Sequence, residues 1–236
     1  MKISLINAGK RFNRDWVFRN LNYVFTAGNS YAITGPNGSG KSTLLQVIGG
    51  AMMQTEGKVE YEVAGFKAQK IRPKDKEKSE KKRRPDREIP VPKNNMQSTT
   101  ENFYQYISLS APYLEVIEEM TVKEFLAFHQ HFKPLLPGMD IPEIIATVGL
   151  EKAANKQLRY YSSGMKQRVR LAQAIFSNVP CVLLDEPCTN LDTDGIALYH
   201  QLVTEYCADR LVIVSSNEEQ EYKFCTERIH ITDWKK

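Results

Sequence analysis

Residues 35–43 read Gly-Pro-Asn-Gly-Ser-Gly-Lys-Ser-Thr and complete the pattern G-x-x-x-x-G-K-[ST]. Few short patterns constrain a fold as strongly, because binding a triphosphate needs donors that converge on several anionic oxygens at once. Gly35, Gly38 and Gly40 let the backbone turn tightly enough for successive N–H groups to face inward. Lys41 adds a point charge for the terminal phosphates, and the Ser42 hydroxyl is placed to ligate Mg²⁺. The flanks have the required form. Ser-Tyr-Ala-Ile-Thr at 30–34 reads as a strand. Leu44, Leu45, Val47 and Ile48 read as the apolar side of a helix whose N-terminus favours anions. All nine residues, Gly35, Pro36, Asn37, Gly38, Ser39, Gly40, Lys41, Ser42 and Thr43, are therefore candidates for the nucleotide site.

A second element lies far downstream. Cys181-Val182-Leu183-Leu184-Asp185-Glu186-Pro187 is an apolar strand that ends in two acids. A buried strand delivering a carboxylate to its C-terminal edge is where a P-loop protein holds Mg²⁺, which suits Asp185. Glu186, one residue further on, is the candidate for polarising an attacking water.

The 236 residues suffice for one large domain with a sizeable core. The first sixty residues alternate short β-like runs with turns, with Ile3, Leu5, Val17, Leu21, Val24 and Phe25 at the apolar positions. Residues 57–63 form a further alternating strand. Between 67 and 98, Lys, Arg, Glu and Pro dominate and periodicity stops, which predicts a disordered basic insertion. Residues 67–93 hold twelve Lys/Arg and five Asp/Glu, so this segment is +7 in a chain of net charge +4 and the remainder is mildly acidic. Order resumes at Phe103. Thr121 and Glu124 form a capping box for a helix with Val122, Phe125, Leu126 and Phe128 on its apolar face. Further helices are expected over 141–148, 165–176 and 194–206, and strands over 181–184 and 211–214. Strands alternating with helices imply a parallel α/β sheet.

No run approaches the ~20 apolar residues of a membrane span, and the first residues, Met-Lys-Ile-Ser-Leu-Ile-Asn, offer no uninterrupted apolar signal region. Cys181, Cys188, Cys207 and Cys225 show no C-x-x-C spacing, so free thiols are expected. His129 and His131 stand two apart on a predicted helix, share no face, and are read as solvated positions.

Between the P-loop and the acidic strand lies Tyr160-Tyr161-Ser162-Ser163-Gly164-Met165-Lys166-Gln167-Arg168. Here the chain resembles the ATP-binding cassette (ABC) ATPases. Residues 161–165 are similar to that family's Leu-Ser-Gly-Gly-Gln signature: Ser162 and Gly164 match, Ser163 replaces a glycine and Met165 replaces the Gln. A small Ser/Gly turn opening a helix offers hydroxyl and N–H donors to a phosphate. Thr189-Asn190-Leu191-Asp192 resembles the D-loop. Phe12 lies where the family places an aromatic that stacks on adenine, with a core aromatic as the alternative. The resemblance covers nearly the whole chain outside 67–98.

It implies an α/β P-loop NTPase (RecA-like) core with an N-terminal antiparallel β lobe, 1–66, and a small helical lobe, about 110–165, before the remaining core, 166–236. It implies ATP and Mg²⁺ as ligands, with Ser42 and Asp185 at the metal. Glu186, Lys41 and Asn217 would act in catalysis. Phe12, Ser162, Ser163, Gly164 and Asp192 would join the P-loop in holding nucleotide. The implied partners are a separate transmembrane permease and a second copy or paralogous ATPase in a head-to-tail sandwich. Its place would be the cytoplasmic face of the membrane. Two departures stand out. Alignment on Met120-Thr121-Val122 puts the family's metal-reaching Gln at Ala111-Pro112, where no Gln occurs. Its γ-phosphate-contacting His is replaced by Asn217, which donates a hydrogen bond but carries no charge.

The Ser-Ser-Gly-Met signature resembles those of exporter ATPases with separate permeases, so export is expected. Two other readings stay open: a regulatory cassette with weak hydrolysis, and a soluble non-transport ABC protein acting on DNA or ribosomes. Residues 67–98 are expected to form a solvated surface loop, with the sharper alternative that Lys81-Lys82-Arg83-Arg84 meets anionic lipid or an acidic face of the permease. Nucleic acid is disfavoured because no aromatics interleave the charges.

Overall fold

The first two strands are long because their inward positions are apolar at every second residue, until bulges reset the register. The computed structural model describes residues 1–63 and 100–235, with side chains omitted at 100–102. Strand β1 (Lys2–Phe12) buries Ile3, Leu5 and Ala8, and β2 (Asp15–Thr26) buries Phe18, Leu21 and Phe25. The odd spacing between Leu5 and Ala8 coincides with a register shift. Asn7 sits there in the left-handed region, φ 46°, its N–H donated to the Asn22 side chain at 2.8 Å. Strand β4 (Glu56–Glu62) pairs with the other edge of β1, giving the antiparallel order β2-β1-β4. Gly57 opens β4 with φ 75°, and a Cβ there would lie 2.2 Å from the Asn7 carbonyl oxygen, so only glycine fits against the bulge.

The second sheet is parallel, in the order β5-β6-β7-β3-β8. It comprises β3 (Ser30–Thr34), β5 (Ile107–Ser110), β6 (Cys181–Asp185), β7 (Leu211–Ser215) and β8 (Glu227–His230). Strands β6 and β7 are buried at every residue, which is why they read as unbroken apolar runs. Their alternate residues sort into two cores. Leu183, Ile213 and Ile33 face one side, with the antiparallel sheet and Leu44, Leu45 and Ile48 of helix α1 (Lys41–Ile48). Val182, Leu184, Val212 and Val214 face the other. There they meet α2 (Val122–His129), α3 (Ile141–Thr147), α4 (Ser163–Ile175) and α5 (Thr193–Tyr206). Short α6 (Glu219–Tyr222) precedes β8.

Capping fixes the helix starts. Thr121 and Glu124 form the expected capping box, and Asp140 and Glu143 form a second one ahead of α3. Ser162 caps α4 and Asp192 caps α5. No helix among the described residues is long and apolar enough to cross a membrane. The four cysteines are free thiols.

Several expectations need correction. Val24 is 46 % exposed and Phe128 44 % exposed, so neither belongs to the core face assigned to it. His129 is not solvated. Its Nε2 meets Ser177 Oγ at 2.8 Å and its Nδ1 meets Gln173 Nε2 at 3.1 Å, pinning the end of α2 to the end of α4. Burial, with Lys133 nearby, pushes its pKa down to about 4, so the ring is neutral at physiological pH. Strand β5 and helix α6 were not foreseen. The expected basic insertion at 67–98 lies outside the described residues.

Candidate functional site

The carboxyl ends of β3, β6 and β7 come together at one edge of the parallel sheet, and the candidate residues leave from these ends. The chain exits β3 at Thr34 into the P-loop. Gly35, Gly38 and Gly40 take φ of 146°, 73° and 102°. At Gly40 the constraint is also steric: a Cβ would stand 2.0 Å from Val17 Cγ1 on β2. The loop closes on its own lysine. Lys41 Nζ donates to the carbonyls of Gly35 (2.9 Å) and Pro36 (3.2 Å), and Lys41 is buried. The ammonium is thus held at the loop by two neutral acceptors; it makes no contact ion pair among the described residues, and its charge acts on the Asp185 carboxylate.

Asp185 ends β6. It is 1 % exposed, and its Oδ1 has no hydrogen-bond partner among the described residues. Burial raises its pKa. The hydroxyls of Ser215 and Ser42 against the carboxylate oppose the rise, Glu186 adds to it and Lys41 relieves it. A buried carboxylate with an orphaned oxygen beside a P-loop serine hydroxyl is an arrangement that a cation completes. The described residues hold no cluster of three His, Cys, Asp or Glu. Mg²⁺ takes one or two protein oxygens and fills its octahedron with phosphate and water. Ser42 and Asp185 therefore fit the metal.

Glu186 follows in the left-handed region, φ 43°, its N–H donated to the Ser215 carbonyl at 2.9 Å. A non-glycine residue there is strained, and the strain is held by the surroundings. Gln167 Nε2 donates to the Pro187 carbonyl at 2.8 Å, and the Cys188 N–H donates to Glu221 Oε1 at 2.8 Å. Asn217 lies two residues beyond β7, exposed, where Ser216 N–H reaches the Ile33 carbonyl at 3.1 Å.

The signature turn occupies a different place. Ser162 and Ser163 are exposed, Ser162 Oγ accepts from Met165 N–H at 3.2 Å, and a Cβ on Gly164 would lie 2.8 Å from the Asn190 carbonyl oxygen. The turn packs against the D-loop of its own chain and leaves its serines facing outward. Asp192 caps α5 with an exposed side chain: Oδ1 accepts the Gly195 N–H at 2.8 Å and lies 3.5 Å from Arg168 Nη2. Phe12 is 48 % exposed, with Lys10 Nζ 5.2 Å from its ring centroid. That rules out the core-aromatic alternative. Its hairpin reaches the P-loop through Val17.

One neighbour of Asp185 was missed. Tyr113 follows the Ala111-Pro112 position that lacks the Gln. Its half-buried phenol stands near Gln46 of α1 and within electrostatic reach of Asp185; burial, above all, raises its pKa. No local sequence pattern marks a tyrosine as a neighbour of a buried carboxylate.

A strand, a phosphate loop, a helix and a second strand ending in buried acid define a P-loop nucleotide-binding protein. The ABC transporter family profile matches residues 18–189, and the chain belongs to that family. The ABC transporter ATP-binding protein YybJ of Bacillus subtilis is 27 % identical over 93 % of this chain and 87 % of its own. The cytochrome c biogenesis ATP-binding export protein CcmA of Agrobacterium fabrum is 27 % identical over 93 % and 90 %. The putative hemin import ATP-binding protein HrtA of Staphylococcus aureus is 24 % identical over 97 % and 94 %. Among solved structures, the dimeric bacterial ABC transporter cassette MJ0796 superposes with a TM-score of 0.72 at 21 % identity, covering 97 % of this chain and 94 % of that one. This likeness establishes the shared fold.

Proposed function

We propose that the chain is the MgATP-hydrolysing subunit of an ABC transporter, powering a separate membrane permease from its cytoplasmic face by ATP-driven head-to-tail dimerisation. The observation that carries the reading is the orphaned, buried Asp185 carboxylate set against Ser42 and within reach of the loop-held Lys41. In this reading the P-loop binds the phosphates, Ser42 and Asp185 hold Mg²⁺, Glu186 polarises water and Asn217 contacts the γ-phosphate. Phe12 stacks on adenine. Ser162, Ser163 and Gly164 face the nucleotide of the other subunit, which fits their outward exposure. Asp192 shapes the D-loop by capping α5. The chain divides into the β lobe, the insertion, the helical lobe and the core at the boundaries expected above. Export is favoured by the signature form and by the name of the Agrobacterium relative; the Staphylococcus relative is named for import.

The test is Mg²⁺-dependent phosphate release by the purified chain. Turnover that rises when a multi-span permease is co-reconstituted supports the reading. ATP binding without phosphate release supports the second one, a regulatory cassette, which is favoured by Asn217 in place of His and by Tyr113 beside Asp185.

Asn217→Ala is expected to lower turnover about tenfold, the effect of losing one hydrogen bond to a charged group. Asn217→His is expected to retain or raise it. Equal steady-state rates for all three proteins would place residue 217 away from the nucleotide.

The run Lys81–Arg84 is proposed to meet anionic headgroups, each basic residue near such a surface contributing about 1 kcal/mol. The full chain is expected to co-sediment with phosphatidylserine vesicles at low salt and release at high salt. A chain lacking 67–98 is expected not to co-sediment; equal binding by both removes the lipid contact.

A further inference from the structure

Polar groups buried behind a catalytic turn are informative because each must be satisfied by a specific partner. Behind the Glu186 turn, polar groups form a line that starts at the surface and is buried from Gln167 onward. It begins at a cleft of about 760 Å³, lined by Pro112, Tyr113, Glu115 and Val116 on one side and by Lys166 and Arg170 of α4 on the other. Arg170 Nε donates to the Leu114 carbonyl at 2.6 Å, and its Nη1 donates to Gln167 Oε1 at 3.1 Å. Gln167 is 0 % exposed, and its Nε2 donates to the Pro187 carbonyl. On the far side of the same turn, Glu221, 3 % exposed, accepts from the Cys188 N–H.

The chemistry of the line allows one orientation only. A guanidinium only donates and a proline carbonyl only accepts, so the amide between them must present oxygen to Arg170 and nitrogen to Pro187. Arg170 makes no ion pair among the described residues. Its guanidinium is committed to a backbone carbonyl of the cleft segment and to the amide. Moving Leu114 therefore withdraws Arg170 from Gln167, and with it the restraint on the carbonyl next to a residue held at φ 43°.

We propose that Arg170 and Gln167 are positioning residues for Glu186, a relay that makes the geometry of the acidic turn depend on the cleft segment 112–119. The inference rests on the reading that Glu186 polarises the attacking water. The two fail separately, because the relay also governs the exchange of backbone amides in the turn.

The test uses the full chain with Arg170→Met, Arg170→Lys, Gln167→Met and the double Met variant. Each single Met variant is expected to lower kcat about tenfold, with KM and equilibrium MgATP affinity within about twofold of the parent. Arg170→Lys, which keeps a cation with its donors on a single nitrogen, is expected to recover part of the loss. The double variant is expected to cost no more than the worse single one, as for residues acting through one path. Hydrogen exchange at Cys188 is expected to accelerate in both Met variants. Unchanged kcat, a parallel loss of ATP affinity, or additive losses would overturn the relay. If the parent chain itself releases no phosphate, the enzyme reading falls and exchange decides the relay alone: faster exchange at Cys188 supports it, unchanged exchange ends it. Arg170→Lys keeps the cation and most of the aliphatic stem, so it remains usable if a Met variant does not fold.

Discussion

Replacing Lys41 by alanine lowers the affinity of the purified chain for MgATP by about two orders of magnitude, the scale of losing charge-assisted bonds to phosphate. Lys41 is buried, and its ammonium is held by the Gly35 and Pro36 carbonyls and makes no contact ion pair among the described residues. Its charge is therefore available to an incoming anion. The substitution removes that charge and also leaves two loop carbonyls without their donor, so the loop loses both its attraction and its closed shape. The packing of α1 does not depend on Nζ, because Leu44, Leu45 and Ile48 hold it in the core. Isothermal calorimetry measures the affinity, and circular dichroism verifies that the fold persists. Unchanged affinity would show that the phosphates are not bound at 35–43.

The parts of the fold that could be read in the sequence are those whose information is local. The P-loop was legible because its function depends on residue type at fixed spacing. Strands β6 and β7 were legible because burial on both faces writes an unbroken apolar run. Capping at Thr121 was legible because Thr-x-x-Glu is a contiguous signal, and the same reasoning applied to Asp140-x-x-Glu143 would have found the second box. What failed was tertiary. His129 looks like a surface residue until α4 brings Gln173 and Ser177 against it. Strand β5 is four residues long, and half of them are serines, of which Ser108 is satisfied by the Ala174 carbonyl on α4 at 2.7 Å. Tyr113 and Glu221 carry no motif, and they matter only because folding sets them beside Asp185 and Cys188. Gln167 stood in plain view within the signature segment, but its meaning lies in Arg170 and Pro187, on opposite sides of it.

Glu186→Gln leaves MgATP bound and reduces hydrolysis by at least about a hundredfold, the scale of losing a positioned general base. The substitution is clean because of how the turn is held. Gln167 and Glu221 grip the backbone of Pro187 and Cys188, and the Glu186 N–H is donated to the Ser215 carbonyl, so none of these restraints uses the Glu186 side chain. Glutamine meets the same strain at φ 43° and has the same size, and it hydrogen-bonds a water without drawing off its proton. The charge balance also moves in one direction. Burial is the main cause that raises the pKa of both Asp185 and Glu221, and the Glu186 carboxylate adds to the rise in each. Removing that charge makes Asp185 easier to ionise and favours its binding of Mg²⁺. With ATP bound and unhydrolysed, the outward-facing Ser162 and Ser163 are left to engage a second copy. The variant is therefore expected to double its mass with MgATP and to stay monomeric without it. Light scattering measures the association, and phosphate release measures the rate. A variant that hydrolyses at the parent rate and remains monomeric with ATP would refute both the general base and the sandwich. One that stops hydrolysing yet remains monomeric would keep Glu186 in its role and remove the second subunit from the site.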